Sequence, residues 1–287
     1  MTKKEKKDQF IIAYIADFNH SDAVLSYSIQ MAQMLQKGLI LMHICDQRYS
    51  SLTPDEAESR LKAIRQQLLD NSRLQLQPSN LTYAALKGDT RQVLTALPQL
   101  LNAVTIVAAV VPHARRRSPL SRHAIMHNFA DCKTAFLVVQ KPLADSAHIK
   151  DVAMTVDFKK ESKDKFIWSS YFPRFGNCRM HVLHYDYRDQ FLHAKWQANM
   201  TQLTKLYDDL DISFEQHSIQ SKSTFQDINA LRFAHANGYD LLIAVTTKEK
   251  DGFEFFFGVQ ELRTIVNREQ IPILFLNPRE DLYVLCD

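Results

Sequence analysis

The sequence predicts an α/β protein made of two similar halves, each a parallel sheet covered by helices. Apolar runs of strand length alternate with amphipathic stretches of helical period along the whole chain. Short motifs of the first half return in the second: Ala13-x-x-x-Asp17-Phe18 as Ala153-x-x-x-Asp157-Phe158, and Met42-His43-Ile44 as Met180-His181-Val182. These echoes lie about 140 residues apart, far beyond a solenoid period, so a whole domain is repeated. The length agrees, since 287 residues at roughly 100–200 per domain make two.

In the first half, Phe10–Ala16, Leu39–Cys45, Leu81–Leu86, Ala103–Val110 and Thr134–Val139 predict five strands. Their apolar runs are those of parallel strands buried on both faces. Between them Leu25, Ile29 and Ala32 recur at helical spacing, as do Ala57, Leu61, Ile64 and Leu68, then Leu94, Leu97 and Leu101. Thr53-Pro54-Asp55-Glu56 combines an N-cap, a proline at the first helical position and a capping-box glutamate, and Gly38 is placed as a helix C-cap. The second half repeats the pattern with strands Asp151–Val156, Cys178–His184, Ile212–His217, Tyr239–Val245 and Ile271–Leu276. Trp196, Met200, Leu203 and Tyr207 form a helix stripe there, and Gly238 separates helix from strand. Lys141–Lys150, with Pro142 and Ser146, reads as a linker between domains 1–142 and 149–287.

Composition narrows the function classes. With 46% hydrophobic residues, 23% charged, 6 Gly and 9 Pro, the chain is neither disordered nor fibrous. The basic run Met1–Asp8 is followed by no apolar segment of signal-peptide or membrane-spanning length, so a cytoplasmic protein without a membrane partner is expected. Cys45, Cys132, Cys178 and Cys286 form no C-x-x-C pair and read as reduced structural thiols. The net charge of +3 divides into +7 for residues 1–142 (18 basic, 11 acidic) and −4 for residues 143–287 (17 basic, 21 acidic). That asymmetry is too mild for a dedicated nucleic-acid binder, so no nucleic-acid partner is expected.

Tyr14-Ile-Ala-Asp17-Phe-Asn-His-Ser21 resembles the first strand, terminal Asp and following helix start of the universal stress protein family. Leu41-Met-His43-Ile44, Ala85-Leu-Lys-Gly88-Asp89, Val104–Ala109 and Ala135-Phe-Leu-Val-Val139 are similar to its later strands and their exits. The second half matches through Asp157, Met180–Val182, Asp240–Val245 and Ile271-Pro-Ile-Leu274, so the resemblance spans nearly the whole chain, carried by order and spacing. It implies two tandem Rossmann-like domains of the adenine nucleotide alpha hydrolase type. Each would hold a five-stranded parallel sheet of order 3-2-1-4-5, with ligand at the carboxyl ends of the strands.

Family members that bind ATP carry G-x-x-G-x9-G-[S/T] after the fourth strand, where glycines let backbone N–H groups reach phosphate and a helix N-terminus favours negative charge. Here the pattern is broken. Its glycine positions fall on Ala109, Pro112 and Arg122 in the first half, and on Thr246, Glu249 and Val259 in the second. Gly258 lies one position from the last of these, and Gly252 is an isolated loop glycine. Pro112 removes a donor, and Glu249 would set negative charge near phosphate.

The resemblance makes Asp17, Ile44, Pro112, Arg122 and His123 the candidate ligand positions of the first half, and Asp157, Val182 and Gly258 those of the second. Asp17 and Asp157 read equally as N-cap or turn aspartates. Arg115–Arg117 with Arg122 and His123 can meet an anion through side chains, or form a solvated basic loop. His123 and His127 have metal-ligand spacing but no third ligand, so no metal is assigned. His43 and His181 read as buried, hydrogen-bonded strand residues. Phe253-Glu-Phe-Phe-Phe257 reads as local core or as a pocket closure.

The expected function is a non-enzymatic stress-response or regulatory binding protein with a degenerate nucleotide pocket in each half and no catalytic residue. The alternative is an ATP- or AMP-binding protein with slow ATP hydrolysis. A phosphoacceptor domain is excluded by Lys87 at the third strand's exit, and neither a nucleophile elbow nor a G-x-x-x-x-G-K-[S/T] loop occurs. Both fifth strands are apolar sheet edges that need a cover, so an intramolecular pseudo-dimer of the halves is expected, with a homodimer as the further possibility.

Overall fold

The computed structural model describes residues 9–71, 78–144, 147–219, 226–246 and 264–278. The chain divides into two compact units, Met1–Asp145 and Ser146–Asp287. The first contains β1 (Phe10–Tyr14), α1 (Ser21–Leu35), β2 (Gly38–Cys45), α2 (Pro54–Asp70), β3 (Leu81–Lys87), α3 (Thr90–Leu100), β4 (Ala103–Ala109), α4 (Arg122–Phe129) and β5 (Ala135–Val139). Its strands pair in parallel in the order β3-β2-β1-β4-β5.

The second unit contains β6 (Asp151–Thr155), α5 (Asp164–Gly176), β7 (Arg179–Tyr185), α6 (Gln190–Asp209), β8 (Phe214–Ile219), α7 (Gln226–Ala236), β9 (Leu241–Val245) and β10 (Ile273–Leu276). These strands pair in parallel in the order β8-β7-β6-β9-β10. Counted from the start of its own unit, each sheet has the order 3-2-1-4-5, as expected. Ile11 to Tyr14 and all of β5 are buried, because helices cover both faces of a parallel sheet.

Local chemistry sets the boundaries. At α2 the capping box forms: the Glu56 N–H donates to Thr53 Oγ1 at 3.3 Å, and the Thr53 N–H donates to Glu56 Oε2 at 2.8 Å. The C-cap of α1 is Gln36, left-handed at φ 53°, and not Gly38. Gly38 instead opens β2, where a Cβ would stand 2.5 Å from the Phe10 ring, so close backbone approach explains the glycine. Gly238, at φ +70°, closes α7 through its N–H to the His235 carbonyl.

Several strands start later than their apolar runs, for one reason. The N–H groups of Ile212, Cys178 and Tyr239 donate to Tyr207, Phe172 and Ala234 carbonyls, finishing the preceding helices. Ile271 likewise donates to Asn267 Oδ1 at 2.9 Å, and β10 begins only after Pro272, which cannot donate. Met200, Leu203 and Tyr207 of the α6 stripe are buried, while Trp196 is half-buried beside the His184 ring at 4.8 Å.

Replacing Thr53 by Ala is expected to lower stability by about 1 kcal/mol, because the first turn of α2 loses its side-chain acceptor. Urea denaturation of the full-length chain reads this as a lower midpoint at unchanged slope; an unchanged midpoint would show that the cap contributes nothing.

Candidate functional site

In the first unit the polar side chains gather at the carboxyl ends of the strands. Asp46, one residue beyond β2, is buried, and its carboxylate accepts the Thr90 N–H at 2.8 Å and the Arg48 N–H at 3.0 Å. It also accepts the Arg48 guanidinium through Nε at 3.1 Å and Nη2 at 2.7 Å. The same guanidinium reaches Asp89 at 2.6 Å, and Asp89 caps α3 by accepting the Gln92 N–H at 3.0 Å. Burial disfavours the Asp46 carboxylate, but the bonds from Arg48 and Thr90 outweigh it and hold the acid well below the usual range. This network closes the β2 and β3 exits with fixed charge.

His43 lies within β2, buried, with Nδ1 2.7 Å from the Ile15 carbonyl and Nε2 3.0 Å from Ser50 Oγ. A carbonyl only accepts, so Nδ1 carries the proton and Nε2 accepts from the serine. Burial lowers its pKa and keeps the ring neutral, with Phe18 packed beside it at 5.0 Å. Asp17 caps the single 3-10 turn Phe18–His20: Oδ1 accepts the Asn19 N–H at 2.9 Å, and Oδ2 meets His20 Nδ1 at 3.2 Å.

The β4–α4 segment binds largely to itself. Val111 N–H donates to Leu120 O, Ala114 to Val111 O, Ser118 to Arg115 O and Ser121 to Ser118 O. Ser121 caps α4 by accepting the Ala124 N–H at 3.1 Å, while its hydroxyl donates to Arg116 O at 3.0 Å. Arg115, Arg116, Arg117 and Arg122 are exposed around it. His123 is half-buried, and burial, then Arg116 and Arg122, lower its pKa. The arginines therefore supply the segment's positive charge.

At the matching end of the second unit, Asp157 accepts the Lys159 N–H at 3.0 Å, the counterpart of the Asp17 turn. Asn199 of α6 donates to the Asp157 and Lys159 carbonyls at 2.8 and 2.9 Å, fixing this exit. Beneath it lies Lys165, 3% exposed, with Nζ 3.1 Å from Thr155 Oγ1. Burial pushes its ammonium below the ordinary lysine value, while the nearby carboxylates of Asp157 and Asp227 oppose that shift.

Solved structures place this geometry. A universal stress protein from Archaeoglobus fulgidus DSM 4304 superposes with TM-score 0.65 at 10% identity, over 95% of this chain and 97% of that one. The fold is that of the universal stress proteins. A functionally unknown protein from Pseudomonas aeruginosa PAO1 gives 0.62 at 12% identity over 96% and 94%. The cytoplasmic domain of a prokaryotic cation chloride cotransporter gives 0.51 at 10% over 98% and 99%. No protein-family model and no curated protein matches the chain.

Within the universal stress protein fold, Asp17, Ile44 and Pro112 stand at the carboxyl end of the first sheet, and Arg122 and His123 open α4. Asp157 follows β6, and Val182 is buried within β7. Gly258 and Phe253–Phe257 lie outside the described residues. Asp46, Arg48, Thr90, Lys165 and Asn199 escaped sequence reasoning: Thr90, Lys165 and Asn199 meet their partners only through the fold, and Asp46-x-Arg48 matches no motif.

Because the folded pKa of Asp46 is depressed, its stabilisation is present above the unfolded aspartate value of about 3.9 and is lost as pH falls below it. Asp46→Asn is therefore expected to destabilise the chain by roughly 1–3 kcal/mol at neutral pH, because the buried site loses its ion pair and Arg48 is left with Asp89 alone. The difference from wild type should shrink below about pH 4 in denaturation midpoints. A pH-independent difference would contradict the assignment.

Proposed function

We propose that this chain is a regulatory binding protein of the universal stress protein type, acting in the cytoplasm without catalysis, whose nucleotide pockets are degenerate. The observation that carries this reading is the β4–α4 segment. The Val111, Ala114, Ser118 and Ser121 amides are donated within the loop, and Pro112 has none to give. The charge of Arg115–Arg117 and Arg122 compensates only in part, since exposed side-chain guanidinium groups do not replace a fixed cradle of backbone donors.

The bonding of His43 and Asp17 supports the non-enzymatic part. His43 gives its one proton to a carbonyl and accepts from Ser50 at a strand end whose other polar groups are locked in ion pairs. Asp17 is likewise used as a turn cap and not as a base reaching outward. The covering of each apolar fifth strand by the other belongs to the same reading, on the edge-strand reasoning given above.

Isothermal titration of the full-length protein with Mg-ATP and with AMP is expected to show no saturation in the micromolar range. Micromolar ATP affinity, abolished by Asp17→Ala, would favour the ATP-binding alternative and overturn this reading. Residues 1–142 and 149–287 expressed separately should self-associate or recombine one to one by mass in solution; two non-associating monomers would contradict the fifth-strand pairing.

A further inference from the structure

The amino-terminal half of the second sheet carries a cluster that the nucleotide reading does not use. His181 of β7 is in register with Glu215 of β8, and His217 follows two residues later on the same face. His181 Nδ1 lies 3.3 Å from His217 Nε2 and 3.4 Å from Glu215 Oε2, and the last two atoms are 3.6 Å apart. Two imidazole nitrogens and a carboxylate oxygen thus form a nearly equilateral triangle.

Those separations are the ones a tetrahedral ion requires. Ligands at about 2.0–2.1 Å from zinc stand roughly 3.3–3.4 Å apart along the edges of a tetrahedron. The protons are also arranged for it. His181 Nε2 is 2.9 Å from Asp151 Oδ1, and a carboxylate accepts, so Nε2 carries the ring's proton and Nδ1 presents a lone pair to the triangle. Tyr239 OH stands 3.2 Å from His217 Nε2, a contact it gives up when an ion takes that nitrogen's lone pair. Glu215 adds an acceptor-only oxygen. With His217 protonated on Nδ1, His181 Nδ1, His217 Nε2 and Glu215 Oε2 each turn a lone pair to the triangle, and a cation then takes the place of the contact between the two rings.

The outer shell fits as well. Asp151 is bound through both oxygens by Arg179, at 2.7 and 2.6 Å, which keeps it ionised and fixes the carboxylate that orients His181. Tyr239 stacks on the His181 ring at 4.0 Å, and Phe233 packs beside His217 at 5.6 Å, so apolar rings wall the inner side. Glu215 is exposed, which leaves a path from solvent. A cleft of about 700 Å³ opens beside it, lined by residues including Arg179, Met180, Phe214 and Glu215.

We propose that His181, Glu215 and His217 bind one zinc-class divalent ion, with Asp151 as the carboxylate behind His181 and the fourth coordination position open to water or Tyr239. The mixed nitrogen and oxygen donor set suits zinc over magnesium or calcium, which prefer oxygen. The ion bridges β7 to β8, the edge strand of the second unit's sheet, and so ties that edge down.

The test titrates chelator-treated full-length protein with zinc alone by calorimetry, and with cobalt(II) by visible absorption. One equivalent of zinc should bind and raise the melting temperature, and cobalt should give a tetrahedral spectrum without thiolate bands. Glu215→Gln, at an exposed position, and His217→Asn should each weaken binding more than tenfold while circular dichroism stays that of wild type. Asp151→Asn, which leaves all three ligands in place, should cost about 10–100-fold. No saturable binding to the folded wild-type chain would overturn the site. Stoichiometric binding left unchanged in the Glu215→Gln, His217→Asn double variant, or a cobalt spectrum with thiolate bands, would do the same by placing the ion elsewhere.

Discussion

Burial of a parallel sheet on both faces is the constraint from which the rest follows. In the central strands the N–H and C=O groups are satisfied by neighbours on both sides and helices exclude water from both faces, so their interiors must be apolar. Residues Ile11 to Tyr14, Ile106 to Ala109 and Val152 to Thr155 are buried accordingly. Polar chemistry is displaced to the strand ends, where N–H groups and helix starts become available. The universal stress protein fold leaves its functional latitude there, and the two ends of the sheets are used differently in this chain.

At the carboxyl end of the sheets, polar groups bond to one another. Arg48 bridges Asp46 and Asp89, the β4–α4 amides close on their own loop, and Asp17 and Asp157 cap turns. Removing Arg48 from this network would be costly, because it would leave the buried Asp46 carboxylate without its cation. Lys165 is the exception in the second unit, a buried ammonium with a neutral hydroxyl as its close partner and carboxylates further off. Near the amino end of the same sheet, His181 and its neighbours break the apolar rule inside a strand, and Asp151 and Tyr239 satisfy what that breach leaves open.

Features written locally were legible in the sequence. The Thr53 capping box and the burial of His43 and His181 follow from neighbouring residues or from periodicity, while the strand order followed from the family resemblance. Strand starts at Phe214, Leu241 and Ile273 were misplaced because Ile212, Tyr239 and Ile271 are as apolar as strand residues while their N–H groups finish helices or turns. The site was less legible. Asp46 and Thr90 are 44 positions apart, and only the pairing of β2 with β3 brings them together. Glu215 and His217 share a strand face by alternation, but their meeting with His181 depends on the β7–β8 register, which no local signal specifies.

The central proposal is that the first unit of this universal stress protein fold holds no backbone cradle for nucleotide phosphate. Native mass spectrometry of the freshly purified full-length chain, incubated with Mg-ATP, tests it most directly. The account predicts the mass of the polypeptide with no nucleotide adduct, whether or not a metal ion is retained. A stoichiometric ATP or AMP adduct that persists after buffer exchange and disappears on Asp17→Ala would contradict it.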